Sequence, residues 1–314
     1  MQAVAVRALR STPEVMELPR PEPGPKEVVV RIGAAGLNPF DWKIIDGGLD
    51  GRGPHLFPFI VGVDGAGVVD GVGAQVHEFV EGDAVFGSFL HPPYGRGTFA
   101  QWAPAEADGA IARIPPGLEP ATAAALPTAG MTALTALDQL RIAPGNTIMV
   151  VGAAGGVGSF AVQLAIARGA VVFAATRRDQ FDYVRSLGAQ ETIDIKAGSV
   201  GALVRAAHPS GLDGLLDMAS DPVTFQELMT AVRSEGAAAS TIGSAGTTSE
   251  RHSGVRRINI DMQPERRMLE RLAEEVVTGR LRAPIESMIP LKEAPAALAR
   301  SRTGAARGKT VVVP

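Results

Sequence analysis

A chain of 314 residues with 46% hydrophobic and 20% charged residues is a folded globular protein with enough length for two cores. Its net charge of −3 gives no electrostatic case for nucleic acid or for an anionic membrane surface. With no cysteine, disulfides, thiolate zinc sites, cysteine-held iron–sulfur clusters and a thiol nucleophile are excluded.

The first residues, Met1 to Arg7, lack the long apolar core of a signal peptide and read as a strand, so the expected location is cytoplasmic. Residues 1–120 are rich in β-branched residues, glycine and proline. Short runs at 27–32, 67–70 and 83–86, separated by turn signals, predict a compact antiparallel β domain of barrel-like form. Pro115-Pro116-Gly117 closes that region, and the alanine-rich stretch 120–140 reads as one helix. From Asn146 the rhythm changes. Strands at 147–151, 171–175, 191–194, 213–218 and 236–242 alternate with helices at 157–168, 179–187, 198–207 and 222–233, which implies a parallel sheet with helices on both faces. A sixth strand is expected at 255–260. An amphipathic helix follows over 264–278, then a strand at 285–289, a helix at 294–300 and a strand at 310–313. These last pieces break the alternation and are expected to return to the first domain.

The chain is organised around its glycine turn. The apolar run from Thr147 to Val151 ends at Gly152, and Ala153, Ala154, Gly155, Gly156, Val157 and Gly158 lead at once into an apolar helical pattern. At such a strand–turn–helix junction, missing side chains let backbone N–H groups approach a pyrophosphate, and the helix N-terminus supplies partial positive charge. The pattern is Ala153-x-Gly155-x-x-Gly158, with alanine where the common fingerprint has its first glycine. The uncharged run 142–167 has the length of a membrane span, but Pro144, Gly145 and the glycines from 152 to 158 divide it into a strand and a core helix. The expected division is therefore a discontinuous substrate domain, 1–120 with 263–314, and a Rossmann dinucleotide-binding domain, 121–262.

The end of the second strand selects the cofactor, because a carboxylate there binds the adenine ribose of NAD and repels a 2′-phosphate. Here that strand ends Thr176-Arg177-Arg178, with no carboxylate before Asp179. Guanidiniums bind phosphate through charge-assisted hydrogen bonds, so NADPH is the expected cofactor. Tyr183, in the following helix, suits the adenine end.

Several short motifs recur in a fixed order: Gly36-Leu37-Asn38-Pro39-Phe40-Asp41-Trp42-Lys43 with Gly47, Gly62-Val63-Asp64-Gly65-Ala66-Gly67, and Gly82-Asp83. Gly97-Thr98-Phe99-Ala100, Leu126-Pro127-Thr128-Ala129-Gly130-Met131-Thr132, the glycine turn, Leu187-Gly188-Ala189 and Gly308-Lys309 complete the set. With them the chain resembles the zinc-independent, zeta-crystallin-like quinone oxidoreductases of the medium-chain dehydrogenase/reductase superfamily. The resemblance implies a GroES-like antiparallel barrel domain, a doubly wound Rossmann domain, an active site in the cleft between them and a homodimer. It also implies that Thr132, Ile242, Gly243 and Ser244 lie near the nicotinamide.

Zinc-dependent members of that superfamily carry a cysteine at the position matching Asn38 and a Gly-His-Glu element matching Gly62-Val63-Asp64. Both changes remove metal ligands, and the histidines at 55, 77, 91, 208 and 252 fall in no ligand spacing. No metal is therefore expected. Without a Lewis acid the natural chemistry is hydride transfer to a conjugated acceptor, a quinone or an α,β-unsaturated carbonyl, whose charge delocalises onto oxygen. Asn38, as an amide donor, and Lys43, as a fixed cation, are the candidates to hold that oxygen; the alternatives are a turn residue and a solvated charge. Lys43 departs from the tyrosine that many quinone reductases have there and resembles the lysine of some alkenal and oxoene reductases. Asp41 is expected to order the loop at the substrate by capping backbone N–H groups, and Tyr94, in a Pro/Gly loop, to border the substrate. Two rivals stand beside this reading. An enoyl-thioester or biosynthetic enone reductase would need a basic rim, for which Arg251, Arg256 and Arg257 are available. A sensor or structural protein would bind NADPH without turnover.

Overall fold

The computed structural model describes residues 1–246, 254–304 and 307–314, so Arg251 and His252 lie outside the described residues. In chain order the elements begin with β1 (Gln2–Val6), β2 (Glu14–Glu17), β3 (Glu27–Gly36), α1 (Pro39–Ile45), β4 (His55–Ile60), β5 (Asp64–Val72) and β6 (Ala84–Ser88). They continue with β7 (Tyr94–Arg96), β8 (Trp102–Glu106), β9 (Ile111–Arg113), α2 (Pro120–Ala125) and α3 (Pro127–Leu140). Next come β10 (Thr147–Val151), α4 (Gly156–Ala167), β11 (Val171–Thr176), α5 (Phe181–Ser186), β12 (Glu191–Asp194), α6 (Val200–Ala207), β13 (Leu212–Asp217), α7 (Pro222–Met229), β14 (Val232–Ser240) and β15 (Arg256–Asn259). The chain ends with α8 (Arg266–Val277), β16 (Ile285–Pro290), α9 (Ala294–Ser301) and β17 (Lys309–Val313).

The chain forms two compact units, Met1–Met131 with Pro264–Pro314, and Thr132–Gln263. The first division falls at 131/132 and not at 120/121, because the residues after 120 pack on the first unit. The Ala124 carbonyl lies where a Cβ on Gly36 would come within 2.2 Å of it, and Thr128 bonds to Asp64.

In the first unit a four-stranded sheet runs β2-β1-β4-β7, and a seven-stranded sheet runs β16-β17-β3-β5-β6-β9 with β8 also on β3. Most pairings are antiparallel, but β4 with β7 and β16 with β17 are parallel. The final strand does return to this unit, where β17 pairs antiparallel with β3. Alternation along β3 sends Val28, Val30 and Ile32 into a core shared with Val4, Phe99, Ile111 and Leu298. Helix α8 buries Leu269, Leu272 and Ala273, and its Arg266 caps the carbonyls of Ala107 and Ile111.

The structure differs from the sequence expectations at two places in this unit. The Asn38-Pro39 pair is not a simple turn: Asn38 is the extended N-cap of α1 and Pro39 its first residue, where a missing N–H costs nothing. The single helix expected over 120–140 is two, because Pro127 cannot donate a hydrogen bond into the preceding turn and starts α3 instead.

The second unit is a six-stranded sheet, β12-β11-β10-β13-β14-β15, with every pairing parallel. This is the doubly wound Rossmann order. Met149, Phe173, Leu215, Phe225 and Leu228 are among its core residues. Strand β14 begins earlier than expected, at Val232, because a bulge lets Val232 pair with Leu212 before the regular register starts at Gly214–Ala237. Helix α7 accordingly stops at Met229. Among the described residues, no helix is long and apolar enough to cross a membrane.

Candidate functional site

In the first unit two of the candidate residues, Asn38 and Asp41, belong to one buried polar cluster, and Lys43 and Tyr94 stand outside it. β3 delivers Gly36 and runs on through Leu37 to Asn38, β5 begins at Asp64, and β17 begins at Lys309. Antiparallel register sets Gly36 opposite Asp64. Asp64 is fully buried, and Asn38 and Lys309 are each 3% exposed. The Asp64 carboxylate accepts from the Asn38 amide at 2.8 Å, from the Thr128 N–H at 3.0 Å and from the Thr128 hydroxyl at 2.6 Å. The Lys309 ammonium donates to the Leu37 carbonyl at 2.9 Å and to the Asn38 side-chain oxygen at 2.5 Å, and stands 3.9 Å from Asp64. The second amide hydrogen of Asn38 reaches the Gly36 carbonyl at 3.2 Å.

The Asn38 amide therefore differs from the free donor expected for a developing oxyanion. Both of its hydrogens are engaged within the protein, and the 3.2 Å bond to Gly36 is the weaker of the two. Lys43 is half-buried on α1 with its ammonium 5.8 Å from the Trp42 ring. Among the described residues no hydrogen bond or ion pair engages that ammonium.

Asp41 acts within the fold as a cap. One oxygen accepts from Asn38 N at 2.7 Å and the other from Val63 N at 3.1 Å, so the carboxylate ties the start of α1 to the turn before β5. Burial pushes Asp41 up to about 7 against the pull of those N–H donors, and the charge of Asp64 adds to the rise. Burial raises Asp64 too, opposed by Lys309, Thr128 and Asn38. The same burial lowers Lys309, opposed by both carboxylates. Tyr94 and Asp41 border one narrow depression with Ile44, Phe59, His91 and Arg96, but Asp41 lies beneath it with no exposed surface, so of the two residues assigned to substrate only Tyr94 is accessible.

The second unit carries the expected strand–turn–helix junction, from β10 through the glycine turn into α4. The residue that needs a left-handed backbone is Gly152, at φ +79°, one place before the fingerprint begins. That explains the tolerated alanine: Ala153 and Ala154 are buried turn residues with ordinary backbone. A Cβ on Gly158 would come within 2.3 Å of the Gly152 carbonyl, so only glycine lets α4 start this close to β10. Gly155 is the extended N-cap, and the first N–H groups of α4, on Gly156, Val157 and Gly158, have no helical acceptor. An open cradle of backbone donors at a twelve-residue helix fits the pyrophosphate of a nicotinamide dinucleotide.

Around that turn, Thr176 is buried and donates to Gln180 at 2.6 Å, fixing the chain that carries Arg177 and Arg178. Arg177 lies 3.4 Å from Asp179, and Arg178, 81% exposed, lies 3.4 Å from Asp194. The Tyr183 hydroxyl bonds to Ser159 in the first turn of α4 at 3.0 Å, nearer the glycine turn than its place in the sequence implies. After β14, the Ser240 hydroxyl accepts from the N–H groups of Ile242 and Ser244, and the Ser244 hydroxyl donates to the Ser220 carbonyl. Ile242 is 43% exposed on that loop and Gly243 has φ +86°, so an apolar surface and a bare backbone are both presented there. Thr132, half-buried on α3, opens this unit.

Lys309 and Thr128 were not singled out from the sequence as site residues. Both sit in quoted motifs, and the available signal was a lysine beside glycine leading into the apolar run of β17. Among the described residues no three His, Cys, Asp or Glu side chains are grouped to hold a metal ion.

The Asp41 shift predicts a pH effect whose sign follows from linkage. Its folded-state value is raised from 3.8 to about 7, so its contribution favours the fold below pH 3.8 and is lost as pH rises through about 7. Denaturant titrations of wild type and Asp41→Asn should show wild type losing ground to the variant across that window and a constant difference above it. A pH-independent difference would contradict the raised value.

The amino-terminal part of the chain, residues 24–116, matches the family description "Alcohol dehydrogenase GroES-like domain", and residues 187–312 match "Zinc-binding dehydrogenase". The chain is 33% identical to a chloroplastic quinone oxidoreductase of Triphysaria versicolor over 314 residues, 95% of this chain and 93% of that one. It is 28% identical to a mitochondrial NAD(P)H oxidoreductase of Bos taurus, with 92% of this chain and 82% of that one covered. A solved quinone oxidoreductase of Coxiella burnetii has the same fold, with a TM-score of 0.89 at 26% identity over 100% of this chain and 99% of that one. A GroES-like first unit, a Rossmann second unit and this full-length similarity agree: the chain belongs to the medium-chain dehydrogenase/reductase superfamily of nicotinamide-dinucleotide-dependent oxidoreductases, with quinone oxidoreductases among its homologues.

Proposed function

We propose that this chain is an NADPH-dependent reductase of quinones or α,β-unsaturated carbonyls that works by direct hydride transfer without a metal. The observation that carries the reading is the make-up of the buried cluster in the first unit. Its side chains are Asn38, Asp41, Asp64, Thr128 and Lys309, which offer oxygen donors and an ammonium. Zinc in proteins favours imidazole and thiolate, and a resident ammonium opposes any second cation, so this donor set does not fit a zinc site. An acceptor that delocalises its own developing charge is then the suitable substrate. The quinone oxidoreductases among the relatives support the same class.

When bound, the nicotinamide supplies the hydride. The chain's own residues bind and orient. The N-terminus of α4 and the turn from Ala153 to Gly158 would hold the pyrophosphate. Arg177 and Arg178, which stand 3.4 Å from Asp179 and Asp194, would hold the 2′-phosphate through charge-assisted hydrogen bonds. Lys43 is the group that meets developing negative charge on the acceptor oxygen, since it gives up no hydrogen bond to do so. Asn38 joins only by releasing the Gly36 carbonyl.

Metal-stripped protein should oxidise NADPH with a quinone or an enone and not with the matching saturated ketone; an enoyl thioester in the same set separates the biosynthetic alternative. Ketone reduction that requires added zinc would overturn the metal-free reading, and tight NADPH binding with no acceptor turnover would favour the non-enzymatic rival. The residue roles separate in steady-state kinetics. Arg177→Ala with Arg178→Ala should raise the KM for NADPH by roughly ten- to a hundredfold and leave NADH unchanged, as loss of one or two charge-assisted bonds implies. Lys43→Met should lower kcat and leave NADPH affinity intact.

A further inference from the structure

Lys309 presents a problem that the hydride chemistry does not solve. Its side chain is 3% exposed, and a buried ammonium costs several kcal/mol unless opposite charge and hydrogen bonds compensate it. Compensation is present from three groups on two segments: the Leu37 carbonyl at 2.9 Å, the Asn38 side-chain oxygen at 2.5 Å and the Asp64 carboxylate at 3.9 Å. Asp64 in turn has no exposed surface and bonds to Asn38 and Thr128. The positive charge and the negative charge are each untenable there without the other. Asn38, Val63 and Asp64 are the positions at which the sequence departs from the cysteine and the Gly-His-Glu element of zinc-dependent relatives, and one ammonium touches the first and opposes the last.

We infer that Lys309 is a built-in cation that replaces a divalent metal in the first unit, neutralising Asp64, fixing the orientation of the Asn38 amide and denying the cluster to zinc. With the amide oxygen of Asn38 held by Lys309, its nitrogen must face Asp64 and Gly36, so Lys309 sets which end of the amide faces which partner. Through Asn38 it also fixes the N-cap of α1, the helix that carries Lys43. Lys309 is therefore a positioning residue. The inference deepens the metal-free half of the reading above and rests on it, and it is independent of which acceptor is reduced.

The test is a charge cycle read by thermal unfolding, together with zinc uptake by equilibrium dialysis on the full-length protein. Lys309→Met, which keeps the length of the side chain and removes its charge, should lower the unfolding midpoint by on the order of 10 °C, or prevent folding. Adding Asp64→Asn to that variant should recover a large part of the loss, because the carboxylate left unpaired is then removed. A side chain needed only for packing would gain nothing from Asp64→Asn. Wild type should take up no stoichiometric zinc.

A Lys309→Met protein as stable as wild type, or a double variant no better than the single one, would overturn the assignment of Lys309 and leave the proposed activity standing. One zinc bound per wild-type chain would overturn both together.

Discussion

Burying charge is the constraint on which the first unit depends. Asp64 and Asp41 are both without solvent exposure, and among the described residues only one ammonium, that of Lys309, is buried beside them. Every polar atom at this centre is consequently engaged: Asp64 by Asn38, Thr128 and Lys309, Asp41 by the N–H groups of Asn38 and Val63. The result is a knot drawn from four parts of the chain that are remote in sequence, the first of them running from the end of β3 into α1. It joins the end of β3, the start of α1, the start of β5, the start of α3 and the start of β17. Such networks are stable only when complete, which is why the final strand, more than two hundred residues from β5, belongs to this unit.

Backbone proximity plays the corresponding part in the second unit. Gly152 turns the chain with a positive φ, and Gly158 lets α4 begin against the Gly152 carbonyl. The helix N-terminus is thereby left with donors and no side chains in front of them. At the next strand end, Thr176 and Gln180 hold a segment bearing two guanidiniums. In doubly wound folds the backbone at such a turn serves any dinucleotide phosphate, and the end of the second strand is where one dinucleotide is told from another.

Periodicity made much of this legible from the sequence. The alternation of short apolar strands with amphipathic helices after Asn146 is a local signal, and each strand of the parallel sheet falls within a few residues of its expected place. The glycine turn is equally local. What escaped were features set by partners distant in the chain. Thr128 and Lys309 look unremarkable in their own neighbourhoods, and only pairing of β17 with β3 brings Lys309 beside Asn38. The Asn38 amide looked available because nothing within several residues of it indicates that Asp64 and Gly36 take its hydrogens. The split of the 120–140 helix was visible in Pro127, but the alanine-rich helical composition outweighed the breaker.

Direct hydride transfer by the metal-stripped protein is tested most simply with an isotope. NADPH carrying deuterium at the transferred C4 position, incubated with an enone in ordinary water, should give a product with deuterium at the β-carbon and a solvent hydrogen at the α-carbon. Deuterium lost to water, or label transfer that begins only when zinc is restored, would contradict it.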